Sequence, residues 1–264
     1  AYEISACLVG SEMCIRDRHK PAPIQATYLG YYGTTGLKTV DYWITDHTIH
    51  PREDDIDDLC TEEHWRLKRS YVGYRPLNDA PDVAPLPMID RGVPMIGSFN
   101  QSRKITQTTA ENWMEVLNEI SEAHLYLKSK NLGDSEEANR IKRMFEDLGL
   151  DSRRLHLEGH SANVQTHLDR YKNIDLALDT YPYTGCTTTA DALWMGVPVL
   201  TVAGKSMVSR QAAAVLQSAG HPEWICTDRA ELRSKAKELL ENKSNLAEIR
   251  NNLREELQMS ELLN

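Results

Sequence analysis

Leu176-Ala-Leu-Asp-Thr-Tyr-Pro-Tyr-Thr-Gly-Cys-Thr-Thr-Thr-Ala-Asp-Ala-Leu-Trp-Met-Gly196 is the stretch whose reading decides the rest of the chain. Ile174 to Leu178 is an apolar run broken only by Asp175, which predicts a buried strand. Pro182 and Gly185 punctuate a tight loop. Thr187, Thr188 and Thr189 offer N-cap hydroxyls. Ala190, Leu193 and Trp194, at i, i+3 and i+4, predict a short helix with one buried face. Gly196 ends it, and Val197 to Val202 opens the next strand. The first turn of such a helix carries unpaired N–H groups and about half a positive charge. Gly185 would let a ligand approach the backbone, so the spot suits a phosphate or pyrophosphate. Asp191 shares a face with Thr187. Because a carboxylate repels phosphate, Asp191 is expected to accept hydrogen bonds from ribose hydroxyls one step further out. The alternative is a capped helix with no ligand.

Outward from this stretch, strands and helices alternate. Strands are expected at Pro94–Phe99, His124–Leu127, Leu155–Leu157, Ile174–Leu178 and Val197–Val202, with a short one at Trp224-Ile-Cys226. Helices are expected at Thr108–Ser121, Ser135–Leu148, Asn163–Tyr171, Thr187–Met195, Met207–Ala219, Ala230–Asn242 and Asn245–Gln258. This alternation means a parallel sheet with right-handed crossovers and ligands at the carboxyl ends of its strands. Such ends carry Gln101 and Lys104, then Ser161 capping a helix with His167 and Arg170, then the threonine helix, then Gly204, Ser209 and Arg210. Lys104 could supply the cation a pyrophosphate needs, with Gln101 beside it. His167 alone reads as an ordinary structural or surface histidine, and Arg210 as a helix-surface or interdomain ion-pair partner. Cys186 at a helix N-terminus is expected to have a lowered thiol pKa. With no partnering His–Asp set, it reads as a small pocket residue.

Upstream, residues 19–77 are too short for a full α/β domain, and 78–91 form a stiff linker around Pro81, Pro85 and Pro87. Strands are expected at Pro21–Gly30, Val40–Thr45 and Tyr71–Tyr74, with a helix over Thr61–Arg69. The turn Gly30–Gly36 is neither a Walker loop nor a dinucleotide fingerprint. His47 and His50 read as polar loop residues rather than metal ligands. The Asp-x-Asp within Glu53–Asp58 reads as a solvated loop ahead of that helix. Residues 1–18 resemble a translated sequencing adaptor, so neither Cys7 nor Cys14 is given a structural role. The 264 residues are 41% hydrophobic with a net charge of −9. That suffices for a core and argues against a general nucleic-acid or anionic-membrane binder. The five scattered cysteines, with no Cys-x-x-Cys pair and no signal segment, point to a reducing, cytoplasmic-type compartment.

Taken together, Leu29-Gly-Tyr-Tyr-Gly-Thr-Thr-Gly-Leu37, Asp41-Tyr-Trp-Ile-Thr-Asp46, Gly97-Ser-Phe-Asn-Gln101 with Lys104, Ala177 to Gly185, and Thr187 to Val199 resemble the catalytic region of the O-GlcNAc transferase family in its bacterial, SPINDLY-like form. The resemblance implies an α/β fold of the GT-B type: a C-terminal Rossmann-like domain over 92–264 and, in 19–77, the tail of an N-terminal one. It implies a glycosyltransferase moving a sugar, N-acetylglucosamine from UDP-GlcNAc, to protein Ser/Thr hydroxyls without metal or cofactor. A GDP-fucose-using O-fucosyltransferase and a non-catalytic nucleotide-binding fragment are the alternatives; a nucleotide-sugar epimerase would need an acid–base set that is not seen. It implies that Gln101 and Lys104 meet the diphosphate, with Lys104 stabilising the leaving group. His167 would pack on the base with Arg170 near, Cys186 would line the donor site, Thr187 and Thr188 would hold phosphate, and Asp191 the ribose. The chain departs from relatives at Tyr32, where Pro is common, and from animal relatives at Val164 and Cys186. It is expected to be a fragment without the upstream half-domain, the acceptor-recruiting repeats or the final returning helix.

Overall fold

The computed structural model describes residues 16–54 and 57–263. Cys7 and Cys14 lie outside the described residues. Strands β1 (Ala26–Thr27), β2 (Tyr42–Asp46) and β3 (Glu63–Leu67) form a parallel sheet in the order β1-β2-β3. The expected first strand is cut to two residues. The expected helix over Thr61–Arg69 is instead β3, and no strand forms at Tyr71–Tyr74. The reason lies in the acids and in the period. Glu62 turns back to accept from the Thr34 hydroxyl and the Thr35 N–H, at 2.6 and 2.7 Å, rather than opening a helix. His64 is buried while Trp65 is 54% exposed, an alternation of period two. Asp57 is not simply solvated: it accepts from Arg66 and pairs with His64 Nδ1 at 2.7 Å.

The second sheet holds β4 (Met95–Ser98), β5 (His124–Lys128), β6 (Leu155–Glu158), β7 (Leu176–Leu178), β8 (Val199–Val202) and β9 (Ile225–Cys226). Its order is β6-β5-β4-β7-β8-β9, and every pairing is parallel. The helices are α1 (Met88–Arg91), α2 (Gln107–Glu119), α3 (Ser135–Asp147), α4 (Val164–Asp169), α5 (Thr187–Trp194), α6 (Gln211–Ala219), α7 (Arg229–Glu241) and α8 (Lys243–Met259). Each expected strand and helix after residue 92 is present. Two helices are shorter than their patterns. The one carrying His167 passes into a 3-10 turn at Arg170, and the one expected from Met207 is interrupted at Arg210. From β4 the chain builds outward to β6, returns to the centre at β7, and builds the other way. The reversal falls between β4 and β7, where an open doubly wound sheet leaves a crevice at its carboxyl edge.

Buried charge fastens the pieces. Asp175, fully buried, accepts from the N–H groups of Met88 and Met95, each at 2.7 Å, and from Arg91 at 3.1 Å. Arg250 on α8 is equally buried and donates to the carbonyls of Ala84, Ile174 and Tyr171 at 2.7, 2.9 and 3.1 Å. Such groups stay buried because every polar atom finds a partner. Gly196 ends α5 at φ +75°, as its position predicts. Between the sheets, Trp43, Ile49 and Tyr71 pack against Met207 and Ala214, and Tyr71 donates to Gln211.

Candidate functional site

Asp179, the residue that follows β7, organises the crevice. It is buried, and its Oδ1 accepts from the N–H groups of Thr180 (2.8 Å) and Gly185 (2.7 Å) and from Asn100 Nδ2 (2.9 Å). Its Oδ2 accepts from the Thr201 hydroxyl at 2.8 Å. One carboxylate thus ties together the segments after β4 and β7 and strand β8. Burial pushes its pKa up, against the downward pull of these bonds and of Lys104. Trp113 Nε1 donates to the Asp179 carbonyl at 2.9 Å, which joins the site to the core. Sequence reading missed Asp179. The available signal was an acid at the end of a buried strand, which must be paired.

Lys104 closes the short turn after β4 and sends its Nζ to the Thr184 carbonyl at 2.9 Å, beside Cys186 and Asp179. Burial lowers its pKa, while Asp179 and Cys186 act the other way. Cys186 is the N-cap of α5, and no side chain caps this helix. The threonine hydroxyls are therefore not caps: Thr188 donates to Asn100 Oδ1 at 2.9 Å, and Thr187 is exposed at the helix start. The first turn stays open to an anion. Two expectations are corrected here. A Cβ on Gly185 would meet the Thr188 and Thr189 hydroxyls at 2.7 Å, so the glycine admits protein groups and not a ligand. The Cys186 thiol pKa is raised to about 11, because burial, with Asp179 beside it, outweighs the pull of Lys104. Asp191, on the same helix, is half-buried and accepts from the Tyr74 hydroxyl at 2.6 Å.

Beyond Asn100 a cavity of about 590 Å³ opens across the carboxyl ends of β4, β5 and β6, lined by Phe99, Gln101, Lys128, Ser161, Asn163 and His167 among others. His167 stands edge-on to Phe99 at 5.6 Å, and its pKa is lowered by burial and by Lys128. Lys128 is buried and holds Glu158 at 3.0 Å and the Gly159 carbonyl at 2.8 Å. Arg170 does not line the cavity; it donates to Glu158 at 3.0 Å. Ser161 does not cap α4. Asn163 does, accepting from the Thr166 N–H at 2.7 Å, and the buried Ser161 hydroxyl is left without a partner. The expected residues thus form two groups: Gln101 and His167 in the cavity, and Lys104, Cys186, Thr187 and Thr188 at the reversal point, with Asp191 further along α5. Asn100 joins the groups. Arg210 donates to the Gly204 carbonyl at 2.6 Å.

The chain is similar to known proteins in sequence and in fold. Residues 90–264 match glycosyl transferase family 41. The Petunia hybrida SPINDLY protein, a probable UDP-N-acetylglucosamine–peptide N-acetylglucosaminyltransferase, is 33% identical over 243 residues, 92% of this chain and 26% of its own length. The Arabidopsis thaliana SPINDLY protein is 34% identical over 236 residues, 89% of this chain and 26% of its own. This chain therefore spans about a quarter of these relatives. A solved Thermobaculum terrenum O-GlcNAc transferase mutant superposes with a TM-score of 0.83 at 33% identity, over 94% of this chain and 51% of that one. TarM shares the fold alone, with a TM-score of 0.56 at 16% identity, over 83% of this chain and 40% of that one. The fold class is α/β of the GT-B type, as the resemblance implied. On the extent of the match and the likeness to SPINDLY proteins, the chain belongs to glycosyl transferase family 41.

Proposed function

We propose that this chain holds the donor-binding part of a glycosyltransferase that moves N-acetylglucosamine from UDP-GlcNAc to Ser or Thr hydroxyls of a protein or peptide, without a metal. The observation that carries this is the meeting of Lys104 with the uncapped start of α5, through its 2.9 Å bond to the Thr184 carbonyl. When the sugar C1–O bond breaks, the nucleoside diphosphate departs with the electron pair, and one further negative charge develops on a diphosphate that already carries two. A lysine ammonium and a helix N-terminus aimed at one place stabilise that charge, the task a divalent cation performs elsewhere. Thr187 would add a hydroxyl donor, Thr188 its first-turn N–H because its hydroxyl is given to Asn100, Gln101 a neutral bond, and Cys186 a small wall. The cavity would take the base, with His167 against it. Asp191 would hold the ribose through the oxygen that Tyr74 leaves open.

The named relatives support the donor and the acceptor class of this reading. In it, residues 19–77 belong to an N-terminal catalytic half, 78–91 to a linker and 92–264 to the nucleotide-sugar domain. The free thiols of Cys60, Cys186 and Cys226 support a cytoplasmic-type compartment. Among the described residues no helix is long and apolar enough to cross a membrane. Calorimetric titration with UDP and with GDP tests the reading. UDP is expected to bind more tightly, and Lys104→Ala to weaken it about 10- to 100-fold, the weight of a charge-assisted contact. Unchanged UDP affinity in Lys104→Ala refutes the phosphate assignment.

A further inference from the structure

Lys104 does not reach the crevice as a free side chain. Its Nζ lies 4.0 Å from the centre of the Tyr183 ring while it donates to the Thr184 carbonyl at 2.9 Å. An ammonium has three N–H groups, so this cradle leaves donors for a ligand. The backbone that carries the ring is held in place. The Tyr183 carbonyl accepts from the Thr180 hydroxyl at 2.6 Å. The Thr184 N–H and hydroxyl both donate to the Val208 carbonyl, at 3.0 and 2.9 Å. On the other side, the Tyr181 carbonyl accepts from the Thr109 hydroxyl at 2.6 Å. Tyr32 meets the Tyr183 ring edge-on, with centres 5.6 Å apart and planes at 76°. Tyr32 belongs to the Gly30–Gly36 loop, which Thr34 and Thr35 anchor on the buried Glu62.

From this we infer that Tyr183 is a positioning residue that holds Lys104 ready for a nucleoside diphosphate, and that Tyr32 steadies Tyr183. The glycine-rich loop of the first sheet is thereby coupled to the diphosphate end of the second. The inference rests on the proposed role of Lys104. The physical reason is preorganisation. A lysine stem loses rotamer freedom when it binds, and a side chain already held by a ring face and a carbonyl loses less. The ring adds cation–π attraction, which at a half-exposed site corresponds to about 3- to 30-fold in affinity.

The test is calorimetry on the full chain with UDP and with uridine. Tyr183→Leu is expected to weaken UDP about 3- to 30-fold and to leave uridine unchanged. Tyr183→Phe, which keeps the ring face, is expected to stay within about twofold of the wild type. Tyr32→Leu is expected to shift UDP in the same direction by less. In a Lys104→Ala background Tyr183→Leu should do nothing further, since the two act as one unit. Equal weakening of UDP and uridine, or the same loss in the Lys104→Ala background, assigns Tyr183 a merely structural role and overturns the inference. If Lys104→Ala weakens UDP and Tyr183→Leu does not, the positioning role alone fails. If the wild-type chain binds no UDP, the proposed function falls and the inference with it.

Discussion

Removing Asp179 tests the architecture of the site directly. Four donors converge on this carboxylate: two backbone N–H groups, the Asn100 amide and the Thr201 hydroxyl. In Asp179→Ala all four lose their acceptor in a buried place. Each orphaned donor costs about 1–3 kcal/mol. The sum overshoots, because water enters the vacated space and neighbouring donors relax together. The loss from breaking a buried charged cluster is about 3–5 kcal/mol, roughly a fifth or more of the stability of a typical domain. Asp179→Asn keeps the shape and one acceptor oxygen for the three donors at Oδ1, and its amide can donate to a rotated Thr201 hydroxyl. What goes is the charge on those bonds, offset by the burial cost of the charge itself, so a loss of about 1–2 kcal/mol is expected. Urea unfolding followed by circular dichroism reads both variants, with the midpoint reporting stability and the slope checking that the same surface is exposed. An alanine variant within about 1 kcal/mol of the wild type, or an asparagine variant as damaged as the alanine one, would refute the claim that this carboxylate binds the crevice together.

Acid should weaken the first sheet through His50. Burial, then the nearby His64, Arg66 and Arg210, lowers its pKa from 6.5 to about 3. The folded chain keeps this ring neutral while the unfolded chain protonates it. Its contribution is thus complete above pH 6.5 and is lost as pH falls towards 3. Between pH 6.5 and 5 the loss is about 2 kcal/mol, and His50→Gln should flatten the stability profile over that interval. Gly196→Ala places a Cβ 2.6 Å from the Arg250 carbonyl at a φ of +75°, so it should destabilise by about 3 kcal/mol in the same unfolding assay.

Periodicity carried most of the second sheet. Its strands are short apolar runs and its helices have spaced apolar faces, and the acid Asp175 did not obscure β7, because it precedes the strand, where two backbone N–H groups and Arg91 meet its carboxylate. The first sheet was harder to read for a physical reason. In β3 the acids before the strand suit a helix start, and its pairing with β2, five residues long, holds Glu63–Leu67 extended. Tertiary pairing overrides local preference most easily in such short polar segments. At the site, charge and position singled out Lys104 and the threonine helix. Burial did not show in the sequence. Composition gives no hint that Thr188 and Thr189 fill the space over Gly185, or that burial raises the Cys186 thiol pKa. Tyr183, Asn100 and Lys128 draw their roles from segments far apart in the chain, which local spacing does not encode.

Arg250 gives the molecule a direction in time. A nascent chain leaves the ribosome from its N-terminus. The Ala84 carbonyl therefore waits for a guanidinium synthesised 166 positions later, and until then it must bond to water. The strap between the two sheets is latched to the segment before β7 only once α8 has emerged, so a helix made late fastens a joint made early.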